Sequence, residues 1–352
     1  RTPSFHVPTQ HRPELSLEDY AAGVRAGDRA VLARAITLVE SIRDADQAQA
    51  QALLNLLLPE TGRSHRIGIS GVPGVGKSTF IEALGTALTR KGYRVAVLAV
   101  DPTSSLSGGS VLGDKTRMTE LSRNPAAFIR PSPSAGTLGG VARRTREALL
   151  LCEAAGYGVI LVETMGVGQS EAVVADLVDS FLLLLLPGAG DDLQGLKRGI
   201  LERVDVLAVN KADGDNLPRA QRAQRDYTAA LHLLRGSSEP SEAIDSSGAS
   251  GANWAWHPPV LLVSAFSGEG LDALWETLQL HKTEAEGVGH LATRRAAQQV
   301  RWLHAQVEEG LLAALRAHPQ AAQTLREVEE AVRSGRTTPS AAAARVLAAF
   351  SD

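Results

Sequence analysis

The nine residues Gly71, Val72, Pro73, Gly74, Val75, Gly76, Lys77, Ser78 and Thr79 combine backbone freedom, one cation and two hydroxyls in a single short run. Their spacing fits G-x-x-x-x-G-K-[ST], a loop that closes around phosphate. The glycines let backbone N–H groups approach phosphate oxygens. Lys77 brings a positive charge to the β- and γ-phosphates, and the Ser78 hydroxyl is placed for Mg2+. Such a loop needs a strand before it and a helix after it. The apolar run His65-Arg-Ile-Gly-Ile-Ser70 supplies the first, and Phe80-Ile-Glu-Ala-Leu-Gly-Thr-Ala-Leu88 has helical spacing. A nucleotide is the expected ligand; a glycine-rich strand–helix turn without ligand is the plain alternative.

A second string, Asn210-Lys211-Ala212-Asp213, follows the apolar run Val204-Asp-Val-Leu-Ala-Val209 and fits N-K-x-D. A carboxylate only accepts hydrogen bonds, and guanine offers Asp213 two donors in one plane, N1–H and N2–H2. Adenine presents an acceptor at N1 and nothing at C2, so the carboxylate would be buried unpaired. The Lys211 stem can cover one face of the base, and Asn210 can tie this loop to the phosphate loop. Ser264-Ala265-Phe266 follows another strand-like run and resembles the loop whose backbone N–H meets guanine O6. The expected ligands are GTP and GDP with Mg2+, in preference to ATP.

Acids stand where strands should end at the nucleotide. Asp101 closes the run at 94–100, Glu163 closes Val159-Ile-Leu-Val162, and Asp114 lies in the Gly/Ser-rich loop between them. Such carboxylates hold Mg2+ directly or through water and orient the attacking water. Helix caps and loop turns are the alternative uses of one or two of them. Asp101 and Glu163 are favoured because their positions follow from the strand–helix alternation. Glu163-Thr-Met-Gly166 stands where small signalling GTPases have D-x-x-G, and Val167 follows where a water-orienting glutamine is often found. A valine cannot position water, so slow intrinsic hydrolysis that needs a partner is expected, with Gln169 or Lys197 as supplementary groups. The loop 104–117 has the glycine content of a segment that orders around a γ-phosphate, or of a surface loop.

The elements that must position these residues can be read from the rest of the chain. Runs near 65–70, 94–100, 126–130, 158–163, 180–186, 204–209 and 259–263 alternate with helical patterns, the signature of an α/β P-loop NTPase with a mainly parallel central sheet flanked by helices. Residues 1–60 read as an N-terminal helical extension, with a capping box at Ser16–Asp19 and helices at 30–41 and 46–58. Residues 61–282 read as the nucleotide-binding domain, and 283–352 as a C-terminal helical arm. In that arm Ala296, Val300, Leu303, Val307, Leu311 and Leu315 form one apolar stripe, which suits either packing on its own domain or a dimer seam. Thr338-Pro339 opens a last helix. The polar, small-residue insertion 236–258 reads as a mobile loop.

Composition narrows the classes further. A net charge of −3 over 352 residues gives no electrostatic reason to expect nucleic acid or an anionic membrane as partner. The strongest apolar run, 181–186, is stopped by Pro187 and reads as a buried strand, well short of the ~20 residues of a membrane span. The lone Cys152 sits in an apolar helical stretch, reads as a core residue, and fits a reducing compartment. No secretory signal opens the chain, and a removed organelle-targeting peptide is compatible with a start lacking methionine.

Several longer strings make the reading more specific: Asp101-Pro-Thr-Ser-Ser105, Gly108-Gly-Ser-Val-Leu-Gly-Asp-Lys-Thr-Arg-Met118, Gly136-Thr-Leu-Gly-Gly140, Val162-Glu-Thr-Met-Gly-Val-Gly-Gln-Ser-Glu171, Pro187-Gly-Ala-Gly-Asp-Asp-Leu-Gln-Gly-Leu-Lys197 and Val209-Asn-Lys-Ala-Asp-Gly-Asp-Asn216. With them the chain resembles the MeaB/ArgK/MMAA GTPases from its N-terminal helices to its C-terminal arm. The resemblance implies a GTP-hydrolysing chaperone of adenosylcobalamin-dependent methylmalonyl-CoA mutase. Such a chaperone gates cofactor loading, excludes the wrong cobalamin form and helps release a damaged cofactor. It implies Gly71 to Thr79 around the phosphates, Asn210, Lys211 and Asp213 at the base, and Ser264, Ala265 and Phe266 beside it. Ser78, Asp101, Asp114 and Glu163 become the metal positions, and Lys77, Asp101, Glu163, Gln194 and Lys197 the catalytic ones. Gln194 and Lys197 fall in the segment this family uses as a third switch to sense the mutase.

The resemblance further implies a homodimer formed through the helical arm, cob(I)alamin adenosyltransferase as a further partner, and a cytoplasmic or mitochondrial-matrix location. Met165 and the length of the 236–258 insertion depart from the family's usual pattern. Three rival readings make different demands on the sequence. A metal-insertion GTPase would show clustered Cys or His, whereas here there is one cysteine and nine scattered histidines. A small-molecule kinase linked to amino-acid transport would need an acceptor pocket and usually ATP. An RNA-associated GTPase would show a basic patch.

Overall fold

A computed structural model describes residues 15–100, 118–131, 138–164, 170–188, 198–236 and 254–351. Seven strands form one sheet: β1 (His65–Gly71), β2 (Val95–Val100), β3 (Ala127–Arg130), β4 (Val159–Thr164), β5 (Ser180–Leu185), β6 (Val206–Val209) and β7 (Val260–Leu262). Their spatial order is β3-β2-β4-β1-β5-β6-β7, and each neighbouring pair is parallel. All seven strands fall where the apolar runs predict them. The runs are mostly apolar because helices cover both faces of a parallel sheet, and every residue of β1, β2, β4, β5 and β6 is buried.

The strand order itself makes a crevice. From β1 the chain passes to β2 on one side of the sheet, whereas β5, β6 and β7 extend on the other. Ligands in such sheets sit at the carboxyl ends of the strands where the winding direction reverses, here at the end of β1. Helix Lys77–Arg90 leaves that point and packs Phe80, Ile81, Leu84 and Leu88 onto the sheet beside Ile67, Ile69, Val95 and Val97. Helix Leu271–Gly287 adds Leu271, Leu274, Trp275 and Leu278 to the same core.

The N-terminal helices Leu17–Arg25, Arg29–Glu40 and Asp44–Leu57 pack on one another and on helix Leu138–Ala154. The predicted capping box is present: the Asp19 N–H donates to Ser16 Oγ at 3.1 Å, and the Ser16 N–H donates to Asp19 Oδ2 at 3.2 Å. Arg130 at the end of β3 pairs with Glu40 and ties this layer to the sheet edge. Cys152 is fully buried, as its apolar context predicts, and burial pushes its thiol well above the usual value.

The amino ends of the strands are held by a buried polar chain that no local sequence pattern announces. His65 Nε2 lies 2.8 Å from Ser180 Oγ, which lies 2.9 Å from His281 Nδ1. His281 Nε2 is 3.3 Å from Asp205 Oδ1, and Arg294 Nη1 is 3.4 Å from Asp205 Oδ2. The Phe181 N–H also donates to that carboxylate at 2.8 Å. The Ser180–His281–Asp205 contact has the composition of a hydrolytic triad. Ser180 is 0% and His281 1% exposed, at the edge of the sheet opposite the crevice, so no substrate reaches it. Its work is structural.

The chain divides into two compact units, Arg1–Arg294 and Arg295–Asp352. In the second, helices Pro319–Arg333 and Pro339–Ser351 pair around Ala321, Val328, Ala342 and Val346. The last helix opens at the predicted Thr338-Pro339, where the Ala341 N–H donates to Thr338 Oγ1 at 3.3 Å. The unit begins within the 28-residue helix His290–Ala317, whose Val300, Leu303, Val307 and Leu311 are each more than half exposed. The apolar stripe read from the sequence is therefore uncovered along most of its length. Residues 1–14 and most of the 236–258 insertion lie outside the described residues.

Candidate functional site

Strand β1 runs straight into the phosphate loop. At Gly71 the backbone approaches β5 so closely that a Cβ there would stand 2.6 Å from the Leu184 carbonyl oxygen. Gly76, just before helix Lys77–Arg90, has φ +93°, a left-handed conformation that side chains disfavour. Among the described residues no side chain caps this helix start, which leaves its first-turn N–H groups to an anion. Val75 is fully buried beneath the loop, while Pro73, Gly74 and Thr79 are exposed.

Lys77 and Ser78 have their side chains placed by the loop and by β4. Lys77 Nζ donates to the Gly71 carbonyl at 2.8 Å and to the Val72 carbonyl at 3.4 Å. Burial holds the Lys77 ammonium below the usual lysine value, while the carboxylates of Glu163 and Glu171 act in the opposite direction. Phosphate oxygens beside it would strengthen the charged form in the same way. Ser78 Oγ donates to Glu163 Oε1 at 3.2 Å, which brings together two of the four predicted metal positions. Both groups offer oxygen, the donor type a hard divalent cation prefers.

The base end is built by the loops after β6 and β7. Asn210 is 1% exposed and bridges two other segments. Its Nδ2 donates to the Val75 carbonyl at 2.8 Å, and its Oδ1 accepts from the Ala265 N–H at 3.2 Å. Lys211 is the one non-glycine residue with positive φ among the described residues, at +59°, and its Nζ donates to the Gly74 carbonyl at 2.9 Å. Its stem thus lies along the top of the phosphate loop. The Ser264 hydroxyl donates to Asp213 Oδ2, and Ser264 Oγ accepts from the Ser267 N–H at 3.0 Å. One Asp213 oxygen is therefore oriented by Ser264. Phe266 stands 93% exposed beside this loop.

Three predicted strings, 71–79, 210–213 and 264–266, are thus joined in one place by hydrogen bonds, with Glu163 at the phosphate end. Asp101, Asp114, Gln169, Gln194 and Lys197 lie outside the described residues. Among the described residues, no three His, Cys, Asp or Glu side chains are grouped so as to hold a metal ion. No described helix is long and apolar enough to cross a membrane. Two residues escaped the sequence reading: the fully buried Ser70 and Thr164, whose side chains meet at 3.0 Å beneath the phosphate loop. A serine and a threonine within apolar strands were the available signal.

With this geometry described, comparison with known proteins is specific. The family described as methylmalonyl Co-A mutase-associated GTPase MeaB matches residues 32–320. A Caulobacter vibrioides protein is 53% identical over 338 residues, covering 96% of this chain and 99% of that protein. The methylmalonic aciduria type A homolog, mitochondrial, of Mus musculus is 46% identical over 93% of this chain and 78% of its own length. Among solved structures, a LAO/AO transport system kinase is 38% identical with a TM-score of 0.72, covering 96% of this chain and 98% of that one.

Proposed function

Since the chain belongs to the MeaB family of GTPases, we propose that it binds GTP with Mg2+, hydrolyses it slowly alone, and serves as the chaperone of an adenosylcobalamin-dependent methylmalonyl-CoA mutase. In this reading the nucleotide state gates cofactor loading, and the mutase accelerates hydrolysis. Cob(I)alamin adenosyltransferase is a further partner, and the protein acts as a homodimer in the cytoplasm or the mitochondrial matrix. Residues 1–60, 61–282 and 283–352 serve as helical extension, nucleotide domain and dimerisation arm. The observation that carries the nucleotide reading is Asn210, whose amide joins the phosphate loop at Val75 to the base loop at Ala265.

Each described residue has a task in that scheme. The first-turn N–H groups and Lys77 bind the β- and γ-phosphates, and the half-buried Lys77 ammonium offsets the charge that grows on them during transfer. Ser78 and Glu163 are the described groups that would hold Mg2+, which would supply positive charge to offset that of the phosphates. Asp213, oriented by Ser264, accepts the guanine donors, and the Lys211 stem covers the base. Asp101, Asp114, Gln194 and Lys197 complete the assignment as metal and water-orienting groups. A chaperone of this kind works only through differential affinity: the partner binds one nucleotide state better than the other.

The name of the 38% identical structure, a transport system kinase, raises a second reading, phosphoryl transfer to a small acceptor. Purified protein incubated with GTP or ATP, alone and with an adenosylcobalamin-dependent methylmalonyl-CoA mutase, separates the two. Stimulated GTP hydrolysis with ATP inert is the expected result. Preference for ATP with a phosphorylated small molecule as product would overturn it.

A further inference from the structure

We infer that Ser70 and Thr164 are positioning residues that set the separation between the phosphate loop and Glu163, an inference that rests on the GTPase reading above. Strand register sets the geometry here. β1 and β4 pair up to Ile69 opposite Glu163, where their pairing ends. Beyond that level Ser70 and Gly71 pair with Leu183 and Leu184 of β5, while Thr164 pairs with Val100 of β2. The two strands therefore part company at the mouth of the crevice, each following its other neighbour. The hydrogen bond from Thr164 Oγ1 to Ser70 Oγ, 3.0 Å long, spans the gap.

Both ends of that bond lead directly into the site. Ser70 precedes Gly71, whose carbonyl accepts from Lys77. Thr164 follows Glu163, whose carboxylate accepts from Ser78. Both residues are 0% exposed, and strand alternation puts them on the sheet face that also carries the buried Val162 and Leu183. A buried hydroxyl pair is kept satisfied only at hydrogen-bond distance, so it resists both spreading and sliding of the two strand ends. An apolar pair of the same shape fills the space without fixing the distance.

That difference supplies the test. Thr164→Val removes one hydroxyl and leaves Ser70 buried without its partner. The double variant Ser70→Ala with Thr164→Val removes both and is expected to fold with near wild-type stability. Thr164→Ser restores the bond. Measured on the full chain, kcat for GTP hydrolysis should fall about ten- to a hundredfold in Thr164→Val and in the double variant, the scale of a small misplacement at a reacting centre. The Mg2+ concentration for half-maximal rate should rise, GDP affinity should change little, and Thr164→Ser should recover the rate. A folded double variant with wild-type kcat and Mg2+ dependence would overturn the inference and leave the GTPase reading standing. GDP affinity falling in proportion to kcat would also overturn it, since the pair would then be a stability element. A wild-type protein that neither binds GDP nor hydrolyses GTP would overturn the nucleotide reading itself, and this inference with it.

Discussion

At Asp213 base selection reduces to which partner donates. The Ser264 hydroxyl occupies one carboxylate oxygen, and the acid retains acceptor capacity for a base with two donors in its plane. Asp213→Asn replaces acceptor with donor on one side and sets an amide N–H2 against the guanine N2–H2. Guanine nucleotide affinity should then fall by ~1–3 kcal/mol, the cost of buried groups left unpaired. A xanthine nucleotide, with a carbonyl at C2, should gain over the wild type. Fluorescence titration with labelled GDP and XDP checks both directions. This residue was legible in the sequence because four positions after a strand carry the whole signal. Ser70 and Thr164 were not, because they lie 94 residues apart and gain meaning only when β1 and β4 stand side by side.

The elements owe their placement to the same split between local and distant signals. Strand and helix runs were readable because each buries its own apolar residues, and the capping box at Ser16 and the Thr338-Pro339 start are local chemistry. The chain of His65, Ser180, His281, Asp205 and Arg294 draws on β1, β5, the turn before β6 and two helices, and no window of sequence contains it. Burial alone would raise the Asp205 carboxyl, but Arg294, His281 and the Phe181 N–H together hold it far below the usual carboxylate value. A folded value depressed below the unfolded ~4 means that its contribution to stability is complete above about pH 4 and is lost as pH falls below that. Asp205→Asn should flatten this acid limb of a melting-temperature profile. At neutral pH it should cost ~3–5 kcal/mol, because it leaves buried charge without its counter-ion. Thermal unfolding from pH 3 to 7 would show both.

For the molecule as a whole, the sequence pattern resolved all seven strands, whereas their order in the sheet required the three-dimensional pairing. The exposed row Val300, Leu303, Val307 and Leu311 is a continuous apolar face on a long helix, and a second copy of the chain is its proposed cover. Leu303→Asp with Val307→Asp should convert a dimer to a monomer by light scattering. GDP binding should persist, since both side chains lie outside the unit that carries the phosphate loop. The sheet order also has a consequence for biosynthesis. β1 emerges early, yet its two neighbours are β4 and β5, and Ser70 lies 94 residues before Thr164. At ~5–20 residues per second, the nascent phosphate loop waits roughly 5–20 s on the ribosome before either flanking strand exists. Nucleotide therefore cannot assist the early stages of synthesis, and the exposed apolar β1 must be shielded in that interval by the N-terminal helices, by a chaperone, or by collapse with β2.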